Sequence, residues 1–196
     1  AFTLTDGALR MLVVLYFHQL GYSPLSIALL FLFYEVFGVI TNLVGGWLGA
    51  RIGLNKTMNI GLALQITALA MLLVPTDLLT VVYVMIAQAL SGIAKDLNKM
   101  SAKSSIKLLV PTDEKSKLYQ WVALLTGSKN TLKGIGFFLG GVLLTWLGFN
   151  GAIALMAVLL TVVWLFSLFT LKQDLGKAKN KTKFKEILSK SRAINL

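Results

Sequence analysis

Six apolar runs, each close to the length of a bilayer crossing, leave this chain few ways to fold. They are read at residues 1–20, 24–49, 56–75, 78–100, 119–147 and 152–171. A helix needs about 20 apolar residues to span a membrane, because its backbone groups must all be satisfied within the segment. The links GYSP, PTD and FNG are too short to hold structure of their own. One soluble core could not hide so many runs. Composition agrees: 56% of residues are apolar and 14% charged, where soluble domains carry about 25% charged. The expected fold class is an all-α membrane protein. Residues 1–171 form a six-helix transmembrane bundle, and residues 172–196 form a basic segment leading onward. The chain opens AFTLTDG, without an initiator Met, and reads as a piece of a longer protein.

The net charge is +11. In a soluble domain that would suggest nucleic acid. Here the basic residues fall on one side of the runs. Arg51 and Lys56 follow the second run, Lys103, Lys107, Lys115 and Lys117 the fourth, and Lys172 to Arg192 the sixth. The links after the first, third and fifth runs have no Lys or Arg. The positive-inside rule then puts the even-numbered links and the tail in the cytoplasm. The tail suits contact with anionic lipid. No nucleic-acid partner is expected, since no aromatic interleaving or fold motif accompanies the charge. There is no cysteine, and His18 is the one histidine. No metal, cofactor or covalent chemistry is expected, and the chain is not read as an enzyme.

Some charges lie at membrane depth, where each costs roughly 2.5–3.5 kcal/mol on insertion scales. Lys129 and Lys133 stand within the fifth run, followed by the glycines of GIGFFLGG. Helical spacing puts Lys129, Lys133, Gly136 and Gly140 on one face. Thr3, Asp6 and Arg10 share a face of the first helix. Glu35, Gly38, Asn42 and Gly45 share one of the second, and Gln88, Gly92, Lys95 and Lys99 one of the fourth. The third and sixth helices show no such face and read as lipid-facing struts. Glycines permit close helix approach, so the charges can face a shared cavity. Arg10, Lys129, Lys133 and Lys95, with Asn130 between the two lysines of the fifth helix, would bind an anion there. Asp6 and Glu35 would balance charge or carry a coupling proton. The structural alternatives are a mutual neutralisation of Asp6 and Arg10, four residues apart, and helix-holding pairs for Glu35.

Two halves of the chain are faintly alike. Gly7-Ala8-Leu9-Arg10 parallels Gly92-Ile93-Ala94-Lys95, and LVGGWL parallels FLGGVLL. That pattern suggests a three-plus-three inverted repeat. The link GGWLGARIGLNK resembles the loop signature of the major facilitator superfamily, with Gly46, Leu48, Arg51 and Gly53 at matching positions. Ala50 stands where that family usually has Asp, and Leu54 and Asn55 replace its basic pair. Longer strings resemble the organoarsenical efflux permeases of this superfamily: FTLTDGALRMLVVL, ALSGIAKDLNKMSAKSSIKLLVP, WVALLTGSKNTLKGIGFFLGG and KSRAIN.

The resemblance implies the amino-terminal half of an antiporter-like permease in a bacterial inner membrane, its carboxy-terminal half lying outside this sequence. It implies export of 1-arseno-3-phosphoglycerate, and hence arsenate resistance. A glyceraldehyde-3-phosphate dehydrogenase would supply that compound when it uses arsenate. Two rivals stay open. An organophosphate or sugar-phosphate carrier would use the same cations. A membrane interaction or sensor protein would use the charges as structural pairs.

Overall fold

The computed structural model describes residues 1–109, 115–172 and 175–177. Among these there are helices and turns and no strand. The helices are α1 (Phe2–Gln19), α2 (Pro24–Leu30), α3 (Leu32–Ile52), α4 (Leu54–Met71), α5 (Val81–Leu109) and α6 (Lys115–Thr170). A short 3₁₀ turn, Thr76–Leu78, joins α4 to α5. The tail expected at 172–196 lies mostly outside the described residues.

The helix ends follow local chemistry. At the end of α1 the Tyr22 N–H donates to the Phe17 carbonyl and the Gly21 N–H to the His18 carbonyl. Gly21 has φ +84, which completes a Schellman cap. Phe17 and Tyr22 then meet edge to face, 5.1 Å between centroids. Ser23 caps α2, its side chain accepting from the Ser26 N–H, with Pro24 at the first helical position. Thr80 similarly accepts from the Tyr83 N–H at the start of α5.

Several expected boundaries move. The second run carries a single turn residue at Phe31 (φ −95, ψ −2), between α2 and α3, and Pro24–Ile52 continues as one membrane-length stretch. The fourth helix continues nine residues past its expected end at 100, to Leu109. The fifth and sixth runs form one long element, whose single non-helical residue is Gly148 (φ 67, ψ −179). The chain thus turns one residue before the expected FNG link.

Packing fixes the directions. Before Gly148, α6 runs alongside α1: Gly136 faces Leu4 and Ala8, Gly140 faces Ala8 and Met11, and Gly141 faces Leu15. Tyr16 stacks on Phe149 with centroids 4.0 Å apart, which seats the turn against the far end of α1. After Gly148, α6 returns along α4, where Trp164 Nε1 donates to the Asn59 carbonyl and Ser167 Oγ donates to Asn59 Oδ1 at 2.6 Å. α5 packs against α3 and α4, with Gly92 against Tyr34 and Gly61 against Asn98. The interior is filled by Leu9, Leu12, Val13, Phe17, Leu69, Ile153, Met156 and Leu160.

The strut reading of the third and sixth helices is corrected here. Asn55, Thr57, Asn59 and Gln65 of α4 are buried. Gln65 Oε1 accepts from Ser91 Oγ at 2.8 Å, and Asn59 holds Ser167. A buried amide without a partner costs about 1–3 kcal/mol, so these pairs bind α4 to both neighbours. The outward face of the final stretch does fit apolar surroundings, with Val158, Val162, Phe166 and Phe169 exposed. Two stretches, Pro24–Ile52 and Ser116–Thr170, are long and apolar enough on their own to cross a membrane. The remaining helices carry interior polar groups, which dilute their apolar character.

Candidate anion cavity

Where the polar faces of α1, α5 and α6 converge, they enclose a cavity of about 440 Å³. Lys95, Lys99 and Lys103 line it from α5, one helical turn apart, and Lys129 and Lys133 from α6, also one turn apart. Asp6, Asn98 and Asn130 complete its polar wall. The stripe on α6 has two uses. Its glycine end closes on α1 and its lysine end opens into the cavity.

The lysines differ in their partners. Asp96, buried, takes Lys99 at 3.5 Å and Lys95 at 3.9 Å. Lys95 also stands 3.7 Å from Glu35. Among the described residues, Lys103, Lys129 and Lys133 have no carboxylate at ion-pair distance. Lys133 lies 5.6 Å from the Phe137 ring centroid. Lys99, Lys103 and Lys129 line the same cavity, so like charges gather there and repel. An anion placed among these groups would relieve that repulsion without displacing a resident carboxylate.

The residues expected to act together are split between two places. Arg10 is not in the lysine cavity. It lines a separate depression of about 530 Å³ with Met11, Val14, Phe31 and Phe137. Its guanidinium donates to Glu35 Oε1 at 3.0 Å and lies over Tyr34. Asp6 and Arg10 form no ion pair. Asp6 instead accepts from the Tyr34 hydroxyl at 2.8 Å, because α3 brings that ring between them. The Glu35 side chain is 59% exposed in this chain. Asn42 is exposed, and Gly38 faces the Asp96 carboxylate. Tyr34 escaped the sequence reading because an aromatic in an apolar run carries no periodic polar signal.

The sequence matches the family model of the major facilitator superfamily over residues 1–195. The chain belongs to that superfamily. No curated protein matched it in sequence. Among solved structures, the superfamily chain is similar to a mutant of the peptide transporter POT in complex with sulfate, at 15% identity and TM-score 0.58. The match covers 99% of this chain and 42% of that one. The same mutant in complex with alafosfalin gives 16% identity and TM-score 0.60, over 99% and 43% of the two chains. The superfamily chain therefore spans less than half the length of these transporters, and the likeness is one of fold.

The loop residues of the superfamily chain have clear local roles. Gly53 ends α3 with φ 104 and ψ 147, a conformation side chains disfavour. Arg51 lies over the Trp47 ring at 5.1 Å. Gly46 faces Met100, and Leu48 is half-buried. Where the family has a basic pair, Leu54 and Asn55 fasten the segment after α6. The Leu54 N–H donates to the Leu175 carbonyl at 2.7 Å, and Asn55 Nδ2 to the Lys172 carbonyl at 2.8 Å.

Proposed function

We propose that this chain is the amino-terminal half of an alternating-access exporter of a small organic anion, with 1-arseno-3-phosphoglycerate as its substrate. One observation carries the proposal: a cavity lined by five lysines, of which Lys103, Lys129 and Lys133 lack a carboxylate partner among the described residues. Lysine acts on phosphate and arsenate as a point charge. Lys129, Lys133 and Asn130 would bind the anion, with Lys95 at the α5 wall. Arg10, beyond Tyr34, would be a later station rather than part of the same grip. Asp6 and Glu35 would balance charge or carry a coupling proton. Six crossings in two inverted groups of three, with the even-numbered links inside a bacterial inner membrane, are part of this reading. So is supply of the substrate by a glyceraldehyde-3-phosphate dehydrogenase acting with arsenate.

The same lysines would serve an organophosphate or sugar-phosphate equally, because they recognise oxyanion charge rather than arsenic. That is the second reading. The test uses everted vesicles containing the full-length transporter, with the arsenylated substrate generated outside them by the dehydrogenase. Uptake that is lost in Lys133→Ala supports the exporter reading. Uptake of 3-phosphoglycerate but not of the arsenylated ester favours the second. Uptake of both that survives the combined Lys129→Ala and Lys133→Ala change would remove the lysine cavity from the path.

A further inference from the structure

The proposed site rests on charged groups, and Tyr34 carries none. It is fully buried. Its backbone is pressed onto α5, since a Cβ at Gly92 would meet the Tyr34 carbonyl oxygen and stand 3.0 Å from its Cα. Its hydroxyl donates to Asp6 Oδ1. Its ring lies beneath two cations, with Lys95 Nζ 4.1 Å and Arg10 Cζ 4.5 Å from the centroid. The negative face of an aromatic ring attracts such groups.

The two cations are held differently. Arg10 has a short contact with Glu35, at 3.0 Å. Lys95 reaches Glu35 at 3.7 Å and Asp96 at 3.9 Å, both beyond hydrogen-bond distance. If Lys95 turned to an anion, neither carboxylate would be stranded. Glu35 would keep Arg10, and Asp96 would keep Lys99 at 3.5 Å. Lys95 can therefore turn to an anion without stranding a carboxylate, and the ring beneath it sets where it stands.

We propose that Tyr34 is a positioning residue of the anion cavity. Its ring holds Lys95 at the cavity wall, and its hydroxyl occupies one oxygen of Asp6, the carboxylate that an incoming anion would otherwise face. The inference rests on the anion-transport reading above. It makes Lys95 the group that exchanges partners on binding.

The experiment is calorimetric titration of purified full-length protein with 3-phosphoglycerate. Lys95→Ala and Tyr34→Leu should each weaken binding about tenfold, and the double variant should be weaker than Lys95→Ala alone by no more than the Tyr34→Phe loss. Tyr34→Phe keeps the ring and should cost about threefold or less, and Lys95→Ala should still cost about tenfold in that background. A packing defect would make the losses multiply, so multiplying losses overturn the proposal. So does a Tyr34→Phe loss as large as that of Tyr34→Leu. If Tyr34→Leu does not fold, the Tyr34→Phe pair decides, and a Lys95→Ala change without effect there overturns the proposal. Wild-type protein that binds no 3-phosphoglycerate overturns this inference, and the anion-transport reading falls with it only if the vesicles also take up neither 3-phosphoglycerate nor the arsenylated ester. Wild-type binding untouched by either Tyr34 change defeats this inference alone.

Discussion

Gly7 of α1 and Gly136 of α6 meet backbone to backbone. A Cβ on Gly7 would stand 2.7 Å from the Lys133 carbonyl oxygen and 3.3 Å from the Gly136 Cα. The contact sits one turn from the cavity, so it sets the position of Lys133 as well as the helix spacing.

Gly136→Val should therefore destabilise the bundle at the upper end of the range of about 1–3 kcal/mol typical of overpacking. Gly134, with nothing within 4 Å of its would-be Cβ, should accept Ala without loss. Thermal unfolding in detergent, read for both variants of the full-length protein, checks the contrast. Equal effects would remove the special role of the Gly7–Gly136 contact.

Asp96→Asn should tighten anion binding, by about threefold to tenfold. The buried carboxylate competes for Lys95 and Lys99, and its removal frees Lys99 and leaves Lys95 with Glu35 alone. Stability should fall at the same time, since Lys99 loses its carboxylate partner and Lys95 one of two. Titration with 3-phosphoglycerate beside a melting curve separates the two effects. Weaker binding would mean that Asp96 orients the lysines rather than competing for them.

Ser167→Ala should cost about 0.5–1.5 kcal/mol, the net worth of one hydrogen bond, because Asn59 Oδ1 loses this donor. Thr145→Ala, at an exposed hydroxyl bonded within its own helix, should change stability little. Denaturation in detergent of the two variants provides the comparison.

The topology can be read by labelling, since the chain has no cysteine. A single cysteine at Ser23 or Asp77 should react with a membrane-impermeant maleimide from outside the cell. One at Lys56 or Lys107 should react in everted vesicles only. All four positions are exposed. Reaction of all four from the same side would overturn the six-crossing arrangement.

Much of the helical layout was legible in the sequence because apolar runs and short links are local signals. The breaks were less so. Phe31 interrupts the second run without Gly or Pro to mark it, and Gly148 lies one residue before the link that composition suggested. The polar faces located the lysines, since period and charge are visible in one helix at a time. Partnerships across helices were not visible. Asp6 and Arg10 are four residues apart, yet each takes its direct partner from α3, where Tyr34 and Glu35 are adjacent. The Asn59–Ser167 bond has no local signature, because 108 positions separate its two halves.

The fastening of Lys172 and Leu175 to the start of α4 has a mechanical consequence. A peptide that simply ran off α6 would transmit any pull along the axis of that helix. Here the load reaches the α3–α4 turn first, through the Leu54 N–H and the Asn55 amide. Gly176, at φ 73, lies against Leu54 and Leu108, so the lever arm also bears on the end of α5. A force on the segment after α6 would therefore act first on the α3–α4 turn and on the end of α5.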